Sequence, residues 1–286
     1  MSRQVLFVVR SGSAQALEVA HEAAKGLLAN HVAVACTRDD AQLLAVEGVT
    51  SSDDATGCEL VVVFGGDGTI LSGIEVARPA DVPVLGVNLG HVGFLAEAEP
   101  EDIQAVVNAI VDHNWRVEER MTLGVHVEGP EQQHWASWAL NEIAIEKDAR
   151  ERMIQIMVSV DDHALSQWSA DGLLCATPTG STAYAFSAGG PVVWPEVDAM
   201  LVVPISAHAL FARPLVVSPS STVEVTVMKG PVVISADGRR MTEVSAGSTV
   251  TIVRHPQSTK LARLHTVPFT ERLVAKFELP VQGWGA

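Results

Sequence analysis

One carboxylate stands among three glycines in Val61-Val62-Val63-Phe64-Gly65-Gly66-Asp67-Gly68-Thr69. The four apolar residues read as a buried strand. Ile70, Leu71, Ile74 and Val76 then resume at helical spacing. A strand that breaks into glycines and restarts as a helix suits a phosphate group, because glycine permits close approach and a helix N-terminus offers free N–H groups. Asp67 would repel that phosphate unless it holds a metal or accepts a proton; the plainer alternative is that it caps the helix. No lysine followed by Ser or Thr closes the loop, so it is not a Walker loop. Its spacing is not that of the dinucleotide fingerprint either.

A second dense stretch runs from Asp171-Gly172 through Thr177-Pro178-Thr179-Gly180-Ser181-Thr182-Ala183-Tyr184 and ends in the only tyrosine of the chain. Hydroxyls crowd a Pro and a Gly, and the small residues Ala183, Ala185, Ser187, Ala188, Gly189 and Gly190 follow, leaving room for a flat ligand. The alternative is a polar turn ahead of a capped helix. Within the short alternating run Trp135–Ile145, Asn141-Glu142 interrupts an apolar stretch between Trp138-Ala139-Leu140 and Ile143-Ala144-Ile145. A polar pair in a buried strand costs roughly 1–3 kcal/mol per unsatisfied group, so a ribose, a base edge or a neighbouring backbone must answer it. Asp237-Gly238, between two strand patterns, reads as a hairpin turn. His208 and Arg213 read as structural polar residues.

The elements that position these residues fall into two textures. Gln4–Val9, Val32–Ala35, Leu60–Phe64 and Pro83–Val87 read as strands, separated by helical patterns such as Leu17, Ala20, Ala24, Leu27 and Leu28. This alternation predicts an α/β domain with an open parallel sheet over residues 1–114, whose ligands lie at the carboxyl ends of the strands. Both glycine turns, Gly65–Gly68 and the later Gly90–Gly93, lie there. From about Trp115 the helical patterns nearly vanish. Short alternating runs, among them Leu123–Val127, Met153–Val160, Thr222–Met228 and Lys260–His265, predict a β-rich, sandwich-like domain over 115–268, with Thr179–Gly189 as its helix. Residues 269–286 read as a short helix and tail that packs back on the first domain.

Composition narrows the classes. The chain has 286 residues, 48% of them apolar and 19% charged, which suits a sizeable core. A net charge of −15 argues against nucleic-acid or anionic-membrane surfaces. Three scattered cysteines, Cys36, Cys58 and Cys175, fit reduced thiols, and no signal or spanning segment is visible. A cytoplasmic protein is expected.

In order along the chain, the pieces resemble the NAD kinase family: the Gly-Gly-Asp-Gly loop at Gly65–Thr69, the turn Gly86-Val87-Asn88-Leu89-Gly90 with Gly93-Phe94-Leu95, the pair Asn141-Glu142, the Thr177–Tyr184 segment after Asp171-Gly172, and Ala207-His208-Ala209-Leu210 with Arg213-Pro214-Leu215-Val216. The loop alone is shared with lipid kinases of the diacylglycerol and sphingosine type; the Thr-Pro-Thr-Gly-Ser-Thr-Ala-Tyr segment is the distinctive part. The resemblance implies phosphoryl transfer to the 2′-hydroxyl of the adenosine ribose of NAD, from ATP, another nucleoside triphosphate or polyphosphate, with Mg²⁺ or another divalent cation. It implies that Asp67 accepts the 2′-hydroxyl proton, organises Mg²⁺, or both, and that Gly68 contacts the dinucleotide. Asn141 and Glu142 would hold a ribose. Asp171, Thr182, Ala183, Tyr184 and Ser187 would line the base pocket, with Arg152 and Arg239 as further ligand contacts.

Gly65, Gly66 and Gly68 would face the donor phosphates. Many relatives carry a basic residue where this chain has Ser72, which makes Arg10 the candidate cation, and His91 stands where close relatives often have Arg. No dedicated protein metal cage is expected. The family fold has NAD between its two domains, and its members are homodimers or homotetramers whose neighbouring subunits help complete the site. A lipid kinase and a non-catalytic dinucleotide sensor are the competing readings.

Overall fold

The structure is a computed structural model, and it describes residues 3–89, 93–98, 102–148, 153–265 and 267–281, the side chains of Asp39 and Glu131 excepted. The chain divides into two compact units, Met1–Glu119 with Thr259–Ala286, and Arg120–Ser258.

In the first unit the strands β1 (Gln4–Val9), β2 (Ala33–Cys36), β3 (Thr50–Ser51), β4 (Leu60–Phe64), β5 (Val84–Val87) and β6 (Arg116–Arg120) alternate with the helices α1 (Ala14–Ala29), α2 (Arg38–Leu44), α3 (Asp67–Ala77) and α4 (Ile103–Val111). Every residue of β4 is buried, as expected of a central strand covered on both faces. It pairs in parallel with β1 and with β5. Ser13 caps α1 by accepting the Ala16 N–H at 3.2 Å, which fixes where the first helix starts. Ala16, Ala20, Ala24 and Leu27 of α1 pack with Val106, Val107 and Ile110 of α4 into the core built on Phe7, Val62 and Phe64.

The second unit contains β7 (Leu123–Glu128), β8 (His134–Ala139), β9 (Glu142–Lys147), β10 (Ile154–Val160), β11 (His163–Ala170), β12 (Gly172–Ala176), β13 (Met200–Ile205), β14 (Leu215–Val217), β15 (Val223–Lys229), β16 (Val232–Ala236), β17 (Arg240–Val244) and β18 (Thr249–Arg254). They form two six-stranded sheets, ordered β11-β10-β15-β18-β7-β8 and β14-β13-β12-β9-β16-β17. One apolar core takes Val125, Val225 and Ile252 from the first sheet and Ile145, Cys175 and Ile234 from the second, which makes a sandwich. The second sheet also buries its other face, where Ala144, Leu174, Leu201 and Val203 pack against Ala185. That is why β12 is an unbroken apolar run while β15 alternates.

The chain then returns to the first unit as β19 (Thr259–Arg263) and, beyond a one-turn helix α5 (Tyr184–Ser187) left behind in the second unit, as α6 (Phe269–Phe277). The completed first sheet is ordered β3-β2-β1-β4-β5-β19-β6.

Three expectations change. The run Lys260–His265 was expected in the β-rich half, over 115–268; instead β19 pairs in parallel with β5 at Leu261↔Val84, so this strand belongs with the first sheet. Trp135–Ile145 is two strands in two different sheets, β8 ending at Ala139 and β9 starting at Glu142, so Asn141-Glu142 marks a corner. Thr179–Gly189 is a 3₁₀ turn over Thr179–Thr182 followed by α5, because Ala183 between them, at φ −100° and ψ −129°, leaves the helical region.

Candidate active site

The glycine turn is built by close packing on one side and open space on the other. Gly65 donates its N–H to the Val87 carbonyl at 3.0 Å, and a Cβ at Gly65 would lie 2.5 Å from Thr69 Oγ1. A Cβ at Gly66 or Gly68 would meet nothing within 4 Å. The first glycine is therefore demanded by the fold, while the other two leave open space beside the backbone, and Gly66 borders a pocket. Gly66, in extended backbone, is the N-cap of α3, and Asp67 is its first residue. Asp67 thus does not cap the helix.

Its carboxylate reaches the second glycine turn instead. Oδ2 accepts the Phe94 N–H and Oδ1 the Leu95 N–H, both at 3.1 Å. A Cβ on Gly93 would lie 2.4 Å from Asp67 Oδ1, so the approach requires glycine there. Each carboxylate oxygen keeps a further lone pair. The segment carrying Phe94 is itself folded back on β5, with Glu97 N–H donating to the Gly86 carbonyl at 2.8 Å and Asn88 N–H to the Ala98 carbonyl at 2.7 Å. In front of Asp67 lies a pocket of about 430 Å³ lined by Arg10, Gly66, Asp67, Asn88, Leu89, Gly93 and Lys276. Among the described residues no group of three or more His, Cys, Asp and Glu side chains could hold a metal ion.

In the second unit the corner between β8 and β9 is organised by Asp237, which sequence reasoning read only as a turn residue. Asp237 and Gly238 have φ of 54° and 64°, the left-handed pair of a tight hairpin between β16 and β17. The Asp237 carboxylate, its side chain 1% exposed, accepts the N–H of Leu140 at 2.9 Å and of Asn141 at 2.7 Å, and pairs with Arg240 Nη2 at 3.0 Å. Burial pushes its pKa up against the pull of those donors. Thr177 closes the corner from the other side: its hydroxyl donates to the Leu140 carbonyl at 2.5 Å, and its N–H to the Asn141 carbonyl at 2.9 Å. Gly180 lies so close that a Cβ would come within 2.0 Å of the Asn141 carbonyl oxygen.

Glu142 sits inside this corner, 7% exposed, and its Oε2 has no hydrogen-bond partner. Burial, then the nearby Asp237 carboxylate, push its pKa up to about 8, against a hydrogen bond from the Tyr184 N–H. The Tyr184 hydroxyl donates to Glu146 Oε1 at 2.7 Å, and burial with that bond pushes it up to about 12. Asp171 is bonded to Lys147 Nζ at 2.6 Å, which lowers its pKa.

Comparison with known proteins fits both halves. Residues 5–115 match the family model described as ATP-NAD kinase N-terminal domain, and residues 140–264 the ATP-NAD kinase C-terminal domain. The NAD kinase of Cutibacterium acnes is 47% identical over 292 residues, covering 99% of this chain and 92% of that protein. The chain belongs to the NAD kinase family. NAD kinase 2 of Streptomyces coelicolor is 48% identical over 290 residues, covering 99% of this chain and 96% of that one. Among solved structures, yeast NADH kinase complexed with NADH has the same fold, with a TM-score of 0.92 at 23% identity over 100% of this chain and 90% of that one. An NAD kinase from Archaeoglobus fulgidus in complex with ATP gives a TM-score of 0.66 at 26% identity over 91% and 93% of the two chains.

Within this NAD kinase family member, the expected residues divide by unit. Gly65, Gly66, Asp67 and Gly68 form the turn, and Arg10 shares its pocket. Asn141, Glu142 and Tyr184 gather at the Asp237 corner, with Thr182 and Ala183 in the turn beside Tyr184 and Ser187 exposed at the end of α5. Arg239 follows the Asp237 hairpin, its N–H bonded to the Ala236 carbonyl at 3.1 Å. Arg152 and His91 lie outside the described residues. Two residues escaped the sequence reading. Asp237 carried only a turn signal, and Lys276, on an ordinary amphipathic helix, carried none.

Proposed function

We propose that this chain phosphorylates the 2′-hydroxyl of the adenosine ribose of NAD to give NADP, with ATP, another nucleoside triphosphate or polyphosphate as donor. The observation that carries the reading is Asp67, a carboxylate braced by two backbone N–H groups at the wall of a pocket whose floor is bare glycine backbone.

Phosphoryl transfer asks a protein mainly for positioning and charge neutralisation. Gly66 and Gly68 bring backbone N–H groups and the N-terminus of α3 to the donor phosphates, Gly65 shapes the turn with its own N–H held by the Val87 carbonyl, and Arg10 adds a cation. Asp67 takes the proton from the 2′-hydroxyl as that oxygen attacks, and Gly68 touches the dinucleotide. The Phe94 and Leu95 N–H groups fix the carboxylate and leave each oxygen a free lone pair for this purpose. Such a lone pair also fits Mg²⁺, which binds through one or two carboxylates plus substrate phosphates. Mg²⁺ or another divalent cation held there with the donor supplies neutralisation of phosphate charge.

Asn141 and Glu142 hold a ribose. The unpartnered Glu142 Oε2, aimed into no protein donor, is suited to a ligand hydroxyl. Asp171, Thr182, Ala183, Tyr184 and Ser187 line the base pocket, with Arg239 and Arg152 as further contacts. The protein works in the cytoplasm as a homodimer or homotetramer; the exposed apolar residues Leu210, Phe211 and Val216 of the second unit support self-association. Among the described residues no helix is long and apolar enough to cross a membrane.

The test is NADP formation by purified protein with Mg²⁺ and NAD, comparing ATP with polyphosphate. Accumulation of NADP with at least one donor is expected. NAD binding without any NADP would instead leave a dinucleotide sensor.

A further inference from the structure

The pocket before Asp67 has a wall that no glycine motif supplies. Helix α3, which carries the turn, contains no Lys or Arg among its eleven residues. The two cations lining the pocket come from elsewhere: Arg10 follows β1, and Lys276 lies in the last turn of α6. Among the described residues neither makes an ion pair. Two unpaired cations beside a single carboxylate and a bare glycine floor leave positive charge that Asp67 does not offset, which prepares the site for a further anion.

The position of Lys276 is set by how α6 docks. Phe94 stacks against Phe269 and Phe277, with ring centroids 5.7 and 6.0 Å away. Arg272 bonds the Ala96 carbonyl and pairs with Glu97 Oε2 at 2.7 Å. The Glu97 side chain is fully buried and is also held by Arg263 of β19 at 3.0 Å. Lys276 is one turn beyond Arg272 on the same face of the helix. The segment that anchors α6 is therefore the one whose Phe94 and Leu95 N–H groups brace Asp67, and both cation and carboxylate are referenced to it.

We propose that Lys276 is the second cation of the donor-phosphate site, acting with Arg10, so that the C-terminal helix is a working part of that site. This rests on reading the pocket as the donor-phosphate pocket. A polyphosphate chain bearing one Mg²⁺ still carries negative charge for these cations to meet. Lysine, a point charge on a flexible stem, can follow phosphates of different shape. Contact is with phosphate and not with a base, so the effect holds for a nucleoside triphosphate and for inorganic tripolyphosphate alike.

The experiment compares wild type, Lys276→Gln and Lys276→Arg with ATP and with tripolyphosphate. It measures NADP formation, and separately the calorimetric binding of each Mg²⁺-loaded donor without NAD. In Lys276→Gln the donor KM and Kd should rise about 10-fold for both donors, the size of one lost charge-assisted bond. The KM for NAD should stay within about 2-fold, and Lys276→Arg should restore most donor affinity. Lys276 is exposed, so the variants should fold. Unchanged donor KM and Kd in Lys276→Gln, or no rescue by arginine, would overturn the proposal. If wild type forms no NADP, the kinase reading fails, and the binding measurements still decide the role of Lys276.

Discussion

Asp67 in the first unit and Asp237 in the second are each held by consecutive backbone N–H groups from a distant segment: Phe94 and Leu95 for one, Leu140 and Asn141 for the other. Here the likeness ends. Asp237 is almost wholly buried and has Arg240 as a counter-ion, so its bonding capacity is spent inside the fold. Asp67 is half-buried at a pocket wall, makes no ion pair among the described residues, and keeps a lone pair on each oxygen. The same device gives a fastening in one place and an oriented reactive group in the other. What separates them is the supply of cations. Arg240 is bonded to Asp237, whereas Arg10 and Lys276 line the same pocket as Asp67 without pairing with it and are left for something else.

This contrast can be broken by substitution. The largest effect on stability is expected at the fastening. Asp237→Ala strips the Leu140 and Asn141 N–H groups of their acceptor and removes the ion pair with Arg240. The loss should be about 3–5 kcal/mol, read as a lower calorimetric transition for the second unit. A change under about 1 kcal/mol would mean that the corner does not depend on this carboxylate.

A smaller, pH-dependent effect is expected at Glu142. Its folded-state pKa is raised to about 8, so the native protein keeps a proton that the unfolded chain gives up. Stability from this group is full below the unfolded pKa, and it is lost as the pH rises toward 8. Glu142→Gln does not titrate. Its unfolding free energy relative to wild type should therefore improve with pH, by on the order of 3 kcal/mol between about pH 5 and pH 8. Parallel stability profiles for the two proteins would contradict the burial argument.

Much of this was legible because it is local. A run of β-branched residues ending in glycines has few other uses, and β4 and the Asp237-Gly238 turn stand where their neighbours in sequence put them. The corner at Asn141-Glu142 was visible only as a polar interruption, because β8 and β9 carry a nearly continuous apolar pattern although they belong to different sheets. The rest lies in long-range partners. Asp237 meets residues nearly a hundred positions away, β19 joins a sheet begun at residue 4, and Lys276 reaches the glycine turn only because Glu97 and Phe94 anchor its helix. Spacing along the chain holds no trace of such contacts.

Asp67 either reacts or merely braces the glycine turns. The direct measurement is Asp67→Asn, followed by kcat for NADP formation and by the Kd for NAD on the same preparation. A reacting carboxylate predicts a loss of about 10²–10⁴-fold in kcat with the NAD Kd within about 3-fold of wild type. Near-normal kcat, or a fall in activity matched by an equal loss of NAD binding, would leave Asp67 with the structural part alone.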